Sequence, residues 1–250
     1  MALTIIAHRG ASADAPENTL PAFAMAWEQQ ADGIELDVHL TADGRLVVIH
    51  DHDTLRVTGI KRPVVEATLT ELQALDAGRW KGEAWRGTKL AELGQVLAVQ
   101  PADKRIVIEL KGKPDLVPAV CEALQQARLP PAQVEVISFD VETMAAAARA
   151  LPEHRCYLLA GSWRAAEGRR ALDLPGLLQT VSTARLAGLD LEYRTVLDNP
   201  DCVAAIRAAG LALYVWTVDD VEAARRLVAL GVDGITTNRP AAIRDGLAAV

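Results

Sequence analysis

Gly33-Ile34-Glu35-Leu36-Asp37-Val38-His39 and Leu46-Val47-Val48-Ile49-His50-Asp51 set two carboxylates and a histidine inside runs that otherwise read as buried β-strand. Ionised carboxylates are costly to bury unless cations or hydrogen-bond donors compensate them. Strand side chains alternate faces, so Glu35 and Asp37 point the same way. Asp43-Gly44, between the two runs, is a strong hairpin signal. A two-residue loop there would place Asp37 opposite His50 and Glu35 opposite His52. Partners across a strand pair have Cβ atoms ~4.5–5.5 Å apart, close enough for two acids and an imidazole to share one face. The expected chemistry is a metal site with an acid/base group attached. It depends on register, because a slip of one residue turns His50 to the other face.

Other chemistry-bearing residues also fall at strand ends. Ile5-Ile6-Ala7 runs into His8-Arg9-Gly10, where the Arg9 fork suits a phosphate or carboxylate. Pro16-Glu17-Asn18-Thr19 follows, a helix N-cap that can also lend polar groups. In Ile106-Val107-Ile108-Glu109-Leu110-Lys111, Glu109 and Lys111 share a face, as an internal ion pair or as part of a site. Glu109, with Glu35 and Asp37, makes an all-oxygen set that suits a hard divalent ion such as Mg²⁺ or Ca²⁺ better than zinc. Lys111 would add a point charge for an anionic oxygen. Ser138-Phe139-Asp140 and Trp216 end two further strands, as core or as a substrate wall. His39 lies on the hairpin face, and His154 is expected in a solvated loop. Asp190 and Glu192, in Gly188–Tyr193, have no assigned role. No dinucleotide glycine signature, phosphate-loop lysine or nucleophile-elbow serine occurs.

The elements that must position these groups alternate. Strand-like runs cover 3–8, 33–39, 46–50, 105–110, 134–138, 155–160, 187–191, 212–217 and 233–237. Helical patterns fall near 19–31, 68–76, 90–99, 115–128, 141–150, 199–209, 219–230 and 240–248. Gly210, Gly231 and Gly246 are expected as helix stops. The connection from 39 to 46 is too short for a parallel crossover, so 46–50 is a hairpin arm. Eight strands remain, which is the count of a (β/α)8 TIM barrel with its site at the carboxyl ends of the strands. The chain is expected to be one domain over 1–250, its barrel distorted by the 33–39/46–50 hairpin and an insertion at about 51–100. That insertion is either a cap over the mouth or a surface excursion with its own hydrophobic patch.

Composition narrows the partners. Of 250 residues half are hydrophobic, and the net charge of −7 argues against nucleic acid. No apolar run reaches the length of a membrane span. The three cysteines lack metal spacing and, with no secretion signal in view, suit a cytoplasmic location. A divalent ion on a phosphodiester with two histidines as general acid and base is phosphoryl-transfer chemistry.

His8-Arg9-Gly10, Glu17-Asn18-Thr19, Glu35-Leu36-Asp37-Val38, Thr41-Ala42-Asp43-Gly44, His50-Asp51 and Ile108-Glu109-Leu110-Lys111 together resemble the glycerophosphodiester phosphodiesterases. Asp76-Ala77-Gly78 with Trp80, Ser138-Phe139, Val215-Trp216-Thr217 and Asp233-Gly234-Ile235 extend the resemblance over almost the whole chain, which is most similar to the compact cytoplasmic bacterial members. The resemblance implies hydrolysis of small glycerophosphodiesters, such as glycerophosphocholine or glycerophosphoethanolamine, to an alcohol and sn-glycerol 3-phosphate. It implies one divalent ion on Glu35, Asp37 and Glu109, His8 and His50 as the acid/base pair, and Arg9 and Lys111 on phosphate. Asn18 would lie beside the site, and Phe139 and Trp216 would line the glycerol or alcohol pocket. Two alternatives are a lysophospholipase D acting on lipids with one acyl chain and a non-catalytic barrel that binds glycerol phosphates. A Schiff-base aldolase using Lys111 is disfavoured, because neighbouring carboxylates raise the pKa of an amine.

Overall fold

The computed structural model describes residues 3–161 and 172–249. Its strands are β1 (Thr4–His8), β2 (Gly33–Leu40), β3 (Leu46–Val48), β4 (Arg105–Leu110), β5 (Val134–Ser138), β6 (Arg155–Ala160), β7 (Gly188–Glu192), β8 (Ala212–Trp216) and β9 (Gly234–Thr237). All but β3 run parallel, in the order β1-β9-β8-β7-β6-β5-β4-β2, and β2 pairs back onto β1 to close the barrel. β3 hangs antiparallel on the outer end of β2.

Strand alternation divides each β-run between two environments. Ile34, Leu36, Val38, Ile106, Ile108, Leu189, Leu191, Val215 and Ile235 face outward into the core shared with the helices. The intervening residues point into the barrel, where Ile6, Val107, Ile137, Tyr157, Leu159 and Tyr214 form a separate cluster. Lower in the barrel, Arg105 Nη1 donates to Glu135 Oε1 at 2.9 Å and to the Tyr214 hydroxyl at 3.2 Å, which satisfies a buried acid that sequence reading passed over.

The helices around this wall follow their caps. Thr19 caps Leu20–Glu28, Asp140 caps Val141–Ala150, and Asp220 caps Val221–Leu230, which ends on left-handed Gly231 as expected. Gly246 departs from expectation. It lies inside the helix Pro240–Ala248, where a Cβ would come within 2.5 Å of Val221 Cγ1, so it serves close helix packing and not termination. The helix Leu174–Ala184 was not expected; its marker is Asp173, whose side chain accepts from the Gly176 amide.

The hairpin corrects the expected register. Thr41 N–H donates to the Arg45 carbonyl, and Gly44 N–H (φ +73°) donates to the Thr41 carbonyl. The loop is therefore Ala42-Asp43-Gly44, one residue longer than the Asp-Gly turn assumed from sequence. Val38 then pairs with Val48, and Ile49, not His50, hydrogen-bonds to the Asp37 carbonyl. His52 is well exposed and does not oppose Glu35.

The stretch after the hairpin builds its own small core of Val47, Ile49, Val57, Val64, Leu69, Leu72 and Leu90. It also reaches the barrel rim, where Lys81 Nζ donates to the Ser12 carbonyl at 2.7 Å. The segment thus combines a hydrophobic patch of its own with a contact to the loop that follows β1. Two glycines separate crowded from open positions. A Cβ on Gly188 would lie 2.1 Å from the Ala212 carbonyl oxygen of the next strand, whereas one on Gly94, in the helix Leu93–Ala98, meets nothing within 4 Å. Gly188→Ala is expected to lower stability by about 1–3 kcal/mol in urea denaturation, and Gly94→Ala to be neutral or to raise it by less than ~1 kcal/mol.

Candidate active site

Three adjacent strands supply the charged core of the barrel mouth. Asp37 on β2 pairs in register with Glu109 on β4, and Glu35 pairs with His8 on β1. Carboxylate oxygens of Glu35, Asp37 and Glu109 all lie within 4.8 Å of one another, and all three residues are buried. Placing them side by side in a low-dielectric wall forces their protonation apart. Burial, then Asp37 and Glu109, push Glu35 well above the ordinary carboxylate range, and burial with Asp37 pushes Glu109 up to about 7. Burial alone would raise Asp37 too, but Lys111 and Arg9 outweigh it and hold Asp37 well below that range.

The compensating donors are specific. Lys111 Nζ stands 3.0 Å from Asp37 Oδ1 and 2.6 Å from Glu109 Oε1. Burial opposes the Lys111 charge, yet the two carboxylates raise its pKa overall, which disfavours a Schiff-base role. Arg9 Nε lies 3.2 Å from Asp37 Oδ2, its Nη1 2.9 Å from Glu17 Oε1, and its backbone N–H donates to Glu35 Oε2 at 3.0 Å. Asn18 closes the set: Nδ2 donates to Asp37 Oδ2 at 2.7 Å, and Oδ1 accepts the Asp37 N–H at 3.2 Å. Asn18 does this from φ +59°, a conformation that asparagine tolerates better than most residues. Glu35 Oε1 is buried without a hydrogen-bond partner. An orphaned oxygen within an all-carboxylate set fits a hard divalent cation.

Both expected histidines reach the mouth, but His50 arrives by a different route. β3 ends at Val48, and the chain bends away before His50, so the slipped register does not carry the imidazole to the outer face. His39 Nε2 contacts the His50 carbonyl at 3.1 Å, which gives His39 a supporting role. His50 Nδ1 faces Asp51 Oδ1 at 2.8 Å, and burial, with Arg9 and Lys111, lowers the His50 pKa. His8 is lowered further, to about 4, by burial and then Arg9. His8 Nδ1 lies 2.7 Å from Asn238 Oδ1, which also accepts from Ser12 Oγ, while Asn238 Nδ2 donates to Asp219 Oδ2 at 2.6 Å. That amide orientation places the His8 proton on Nδ1 and leaves Nε2 as a free acceptor.

Sequence reading did not single out Asp51, Arg56, Asn238 or Asp219 for the site. Arg56 donates to Asp51 Oδ2 and to both Glu17 oxygens at 2.7–2.8 Å, so Glu17 is shared between Arg56 and Arg9. Their signals were local: Asp51 directly follows His50, and Asn238 ends the last strand.

Between these groups lies a cavity of about 100 Å³, bounded by His8, Glu35, His50, Glu109 and Lys111 on one side and by Phe139, Asp190 and Trp216 on the other. Phe139 and Trp216 meet edge to face, centroids 5.5 Å apart at 87°. Trp216 Nε1 donates to the Asp190 carbonyl at 3.1 Å, which pins the indole against β7. His154, as expected, lies away from this cavity, in the turn before β6.

A closed eight-stranded parallel barrel carrying buried carboxylates, two imidazoles and two cations at the carboxyl ends of its strands defines an enzyme of the (β/α)8 class with a site suited to an anionic ester. Residues 8–242 match the Glycerophosphoryl diester phosphodiesterase family, and the chain belongs to it. It is 35% identical over 250 residues to the glycerophosphodiester phosphodiesterase of Caldanaerobacter subterraneus subsp. tengcongensis, covering 96% of each chain. It is 32% identical over 252 residues to that of Bacillus subtilis, covering 94% of this chain and 83% of the other. A phosphodiesterase of Oleispira antarctica, solved with its product sn-glycerol-3-phosphate, superposes with a TM-score of 0.88 at 26% identity, covering 98% of this chain and 97% of that one.

Asn18→Ala leaves Asp37 without both Asn18 contacts. We expect it to cost about 1–3 kcal/mol in urea denaturation, the range for an unsatisfied buried polar group. An unchanged midpoint would show that Asn18 contributes nothing there.

Proposed function

We propose that this phosphodiesterase hydrolyses small deacylated glycerophosphodiesters, such as glycerophosphocholine or glycerophosphoethanolamine, to an alcohol and sn-glycerol 3-phosphate in a divalent-metal-dependent reaction. The observation that carries this reading is the convergence of Glu35, Asp37 and Glu109 with the imidazoles of His8 and His50 at the mouth of one small cavity.

Glu35, Asp37 and Glu109 would hold the ion, Mg²⁺ or Ca²⁺, through oxygen donors. When bound, such an ion supplies Lewis-acid polarisation and neutralises charge on the phosphoryl oxygens. Arg9 and Lys111 would orient the phosphodiester, with Asn18 fixing Asp37 beneath it. His8, whose Nε2 is the free acceptor, takes the proton from the attacking hydroxyl. That hydroxyl belongs to water, or to the glycerol carbon next to the phosphoester, in which case the alcohol leaves first and water then opens the cyclic phosphodiester to give sn-glycerol 3-phosphate. As the phosphorus–oxygen bond to the alcohol breaks, His50 in its protonated form would give a proton to the departing oxygen; burial opposes that form, with Arg9 and Lys111, while Asp37 and Asp51 favour it. Phe139 and Trp216 would cover the carbon skeleton.

The cavity of about 100 Å³ is well below the ~300–1,000 Å³ of drug-sized sites, which supports a short polyol over a lipid still carrying an acyl chain. The three free cysteines support a cytoplasmic location.

A panel of glycerophosphodiesters and a lysophospholipid, assayed for glycerol 3-phosphate with Mg²⁺, Mn²⁺, Ca²⁺ or EDTA, tests the reading. Activity on the deacylated glycerophosphodiesters that EDTA abolishes is expected; equal activity after complete metal stripping would overturn it. His8→Ala and His50→Ala should each lower kcat by about 10²–10⁴-fold, the usual worth of a positioned acid or base.

The pH profile has a defined sign. A base must be neutral to act, and the His8 pKa lies below the ordinary imidazole value of 6.5. The acid limb of kcat/KM, measured with saturating metal, should therefore lie below pH 6.5, activity falling as His8 becomes protonated.

A further inference from the structure

The mechanism above leaves one buried carboxyl of the mouth without a task. Asp190 sits mid-way along β7, in register with Leu159 on β6 and Tyr214 on β8. Leu189 and Leu191 take the outward positions, so strand alternation sends Asp190 into the barrel among Ile137, Leu159 and Tyr214. It is 4% exposed, and its Oδ1 has no hydrogen-bond partner although it borders the cavity. Leaving a buried polar group unpaired is costly, and an apolar residue would avoid that cost. A leucine here would fit the interior layer, so the acid calls for a ligand.

The topology tells which end of a substrate meets it. Counted around the barrel, β7 is four strands from β2 in either direction, diametrically across from Glu35 and Asp37. A phosphoryl group held over β1, β2 and β4 therefore sends its carbon chain across the mouth toward β7. The aromatic pair flanks that path: Phe139 abuts Trp216, and Trp216 is anchored on the backbone of Asp190 itself. An aromatic wall for C–H groups beside a carboxyl for O–H groups is complementary to a short polyol.

We propose that Asp190 is a specificity-determining residue that hydrogen-bonds the terminal hydroxyl of the substrate's glycerol unit, the one farthest from phosphorus. This rests on the glycerophosphodiester reading and refines it. The carboxyl is suited to a hydroxyl rather than to an ammonium head group. Burial, and after it Glu109 and Glu135, push its pKa well above the ordinary range, which favours the protonated form, with one O–H to give and an oxygen to accept.

Two substrates sharing one head group separate the possibilities: the glycerol phosphodiester and its propane-1,2-diol counterpart. The second keeps the hydroxyl next to the phosphoester and lacks the terminal one. The native enzyme should prefer the glycerol ester by roughly 10–100-fold in kcat/KM, the worth of a hydrogen bond whose loss strands a buried partner. In D190A the preference should fall close to unity, with the change carried by KM for the glycerol ester. In D190N, whose amide can also donate and accept, part of the preference should survive. Calorimetric binding of sn-glycerol 3-phosphate against propane-1,2-diol phosphate gives the same comparison without turnover. A preference that persists in D190A overturns the assignment, as does an equal loss on both substrates. If the native protein hydrolyses neither ester, the hydrolase reading fails, and the binding comparison still decides whether Asp190 reads the hydroxyl.

Discussion

Buried like charge governs this barrel mouth. Glu35, Asp37 and Glu109 lie within 4.8 Å of one another in a buried wall, where burial and then mutual repulsion push Glu35 and Glu109 toward binding protons. The surrounding residues are arranged against that outcome. Lys111 bridges two of the acids, Arg9 reaches Asp37 through its side chain and Glu35 through its backbone, and Asn18 satisfies Asp37 from a left-handed conformation. The fold contributes by making β1, β2 and β4 neighbours, which brings the end of the first strand and a strand about a hundred residues later to the same few ångströms. Removing a buried partner from such an arrangement is costly, because an uncompensated charge remains.

The same constraint explains why two cations that suit phosphate spend their donors on carboxylates. Arg9 and Lys111 hold the acids in place while remaining at the edge of the cavity, so positive charge borders the same space as the carboxylates. His8 and His50 border the same cavity, each with its Nδ1 turned to a polar partner.

Much of this was legible in the chain because acids at alternate positions of β-branched runs are conspicuous. Glu35, Asp37 and Glu109 announce themselves against Ile, Leu and Val, and the eight-strand count follows from the alternation of runs. The hairpin shows the limit. Asp43-Gly44 marks a turn, but whether Ala42 belongs to the loop depends on Thr41 closing onto Arg45, a contact set by tertiary packing of the tip against Leu69. The predicted facing of Asp37 and His50 was therefore wrong, although both residues reach the site. The Leu174–Ala184 helix was missed because Pro175 and Gly176 interrupt its first turn. Asp190 and Asp219 could not be assigned, since an isolated Asp at a strand centre or loop start looks alike whether or not anything faces it.

The fork of Arg56 has an evolutionary corollary. It grips Asp51, the neighbour of His50, and Glu17, the neighbour of Asn18, so the segment following the hairpin is fastened to the loop following β1. The inserted segment is thus no passive passenger on the barrel. A lineage that swapped this insertion for another would have to supply a new guanidinium at the same spot, or the clasp beside both imidazole-bearing loops would open.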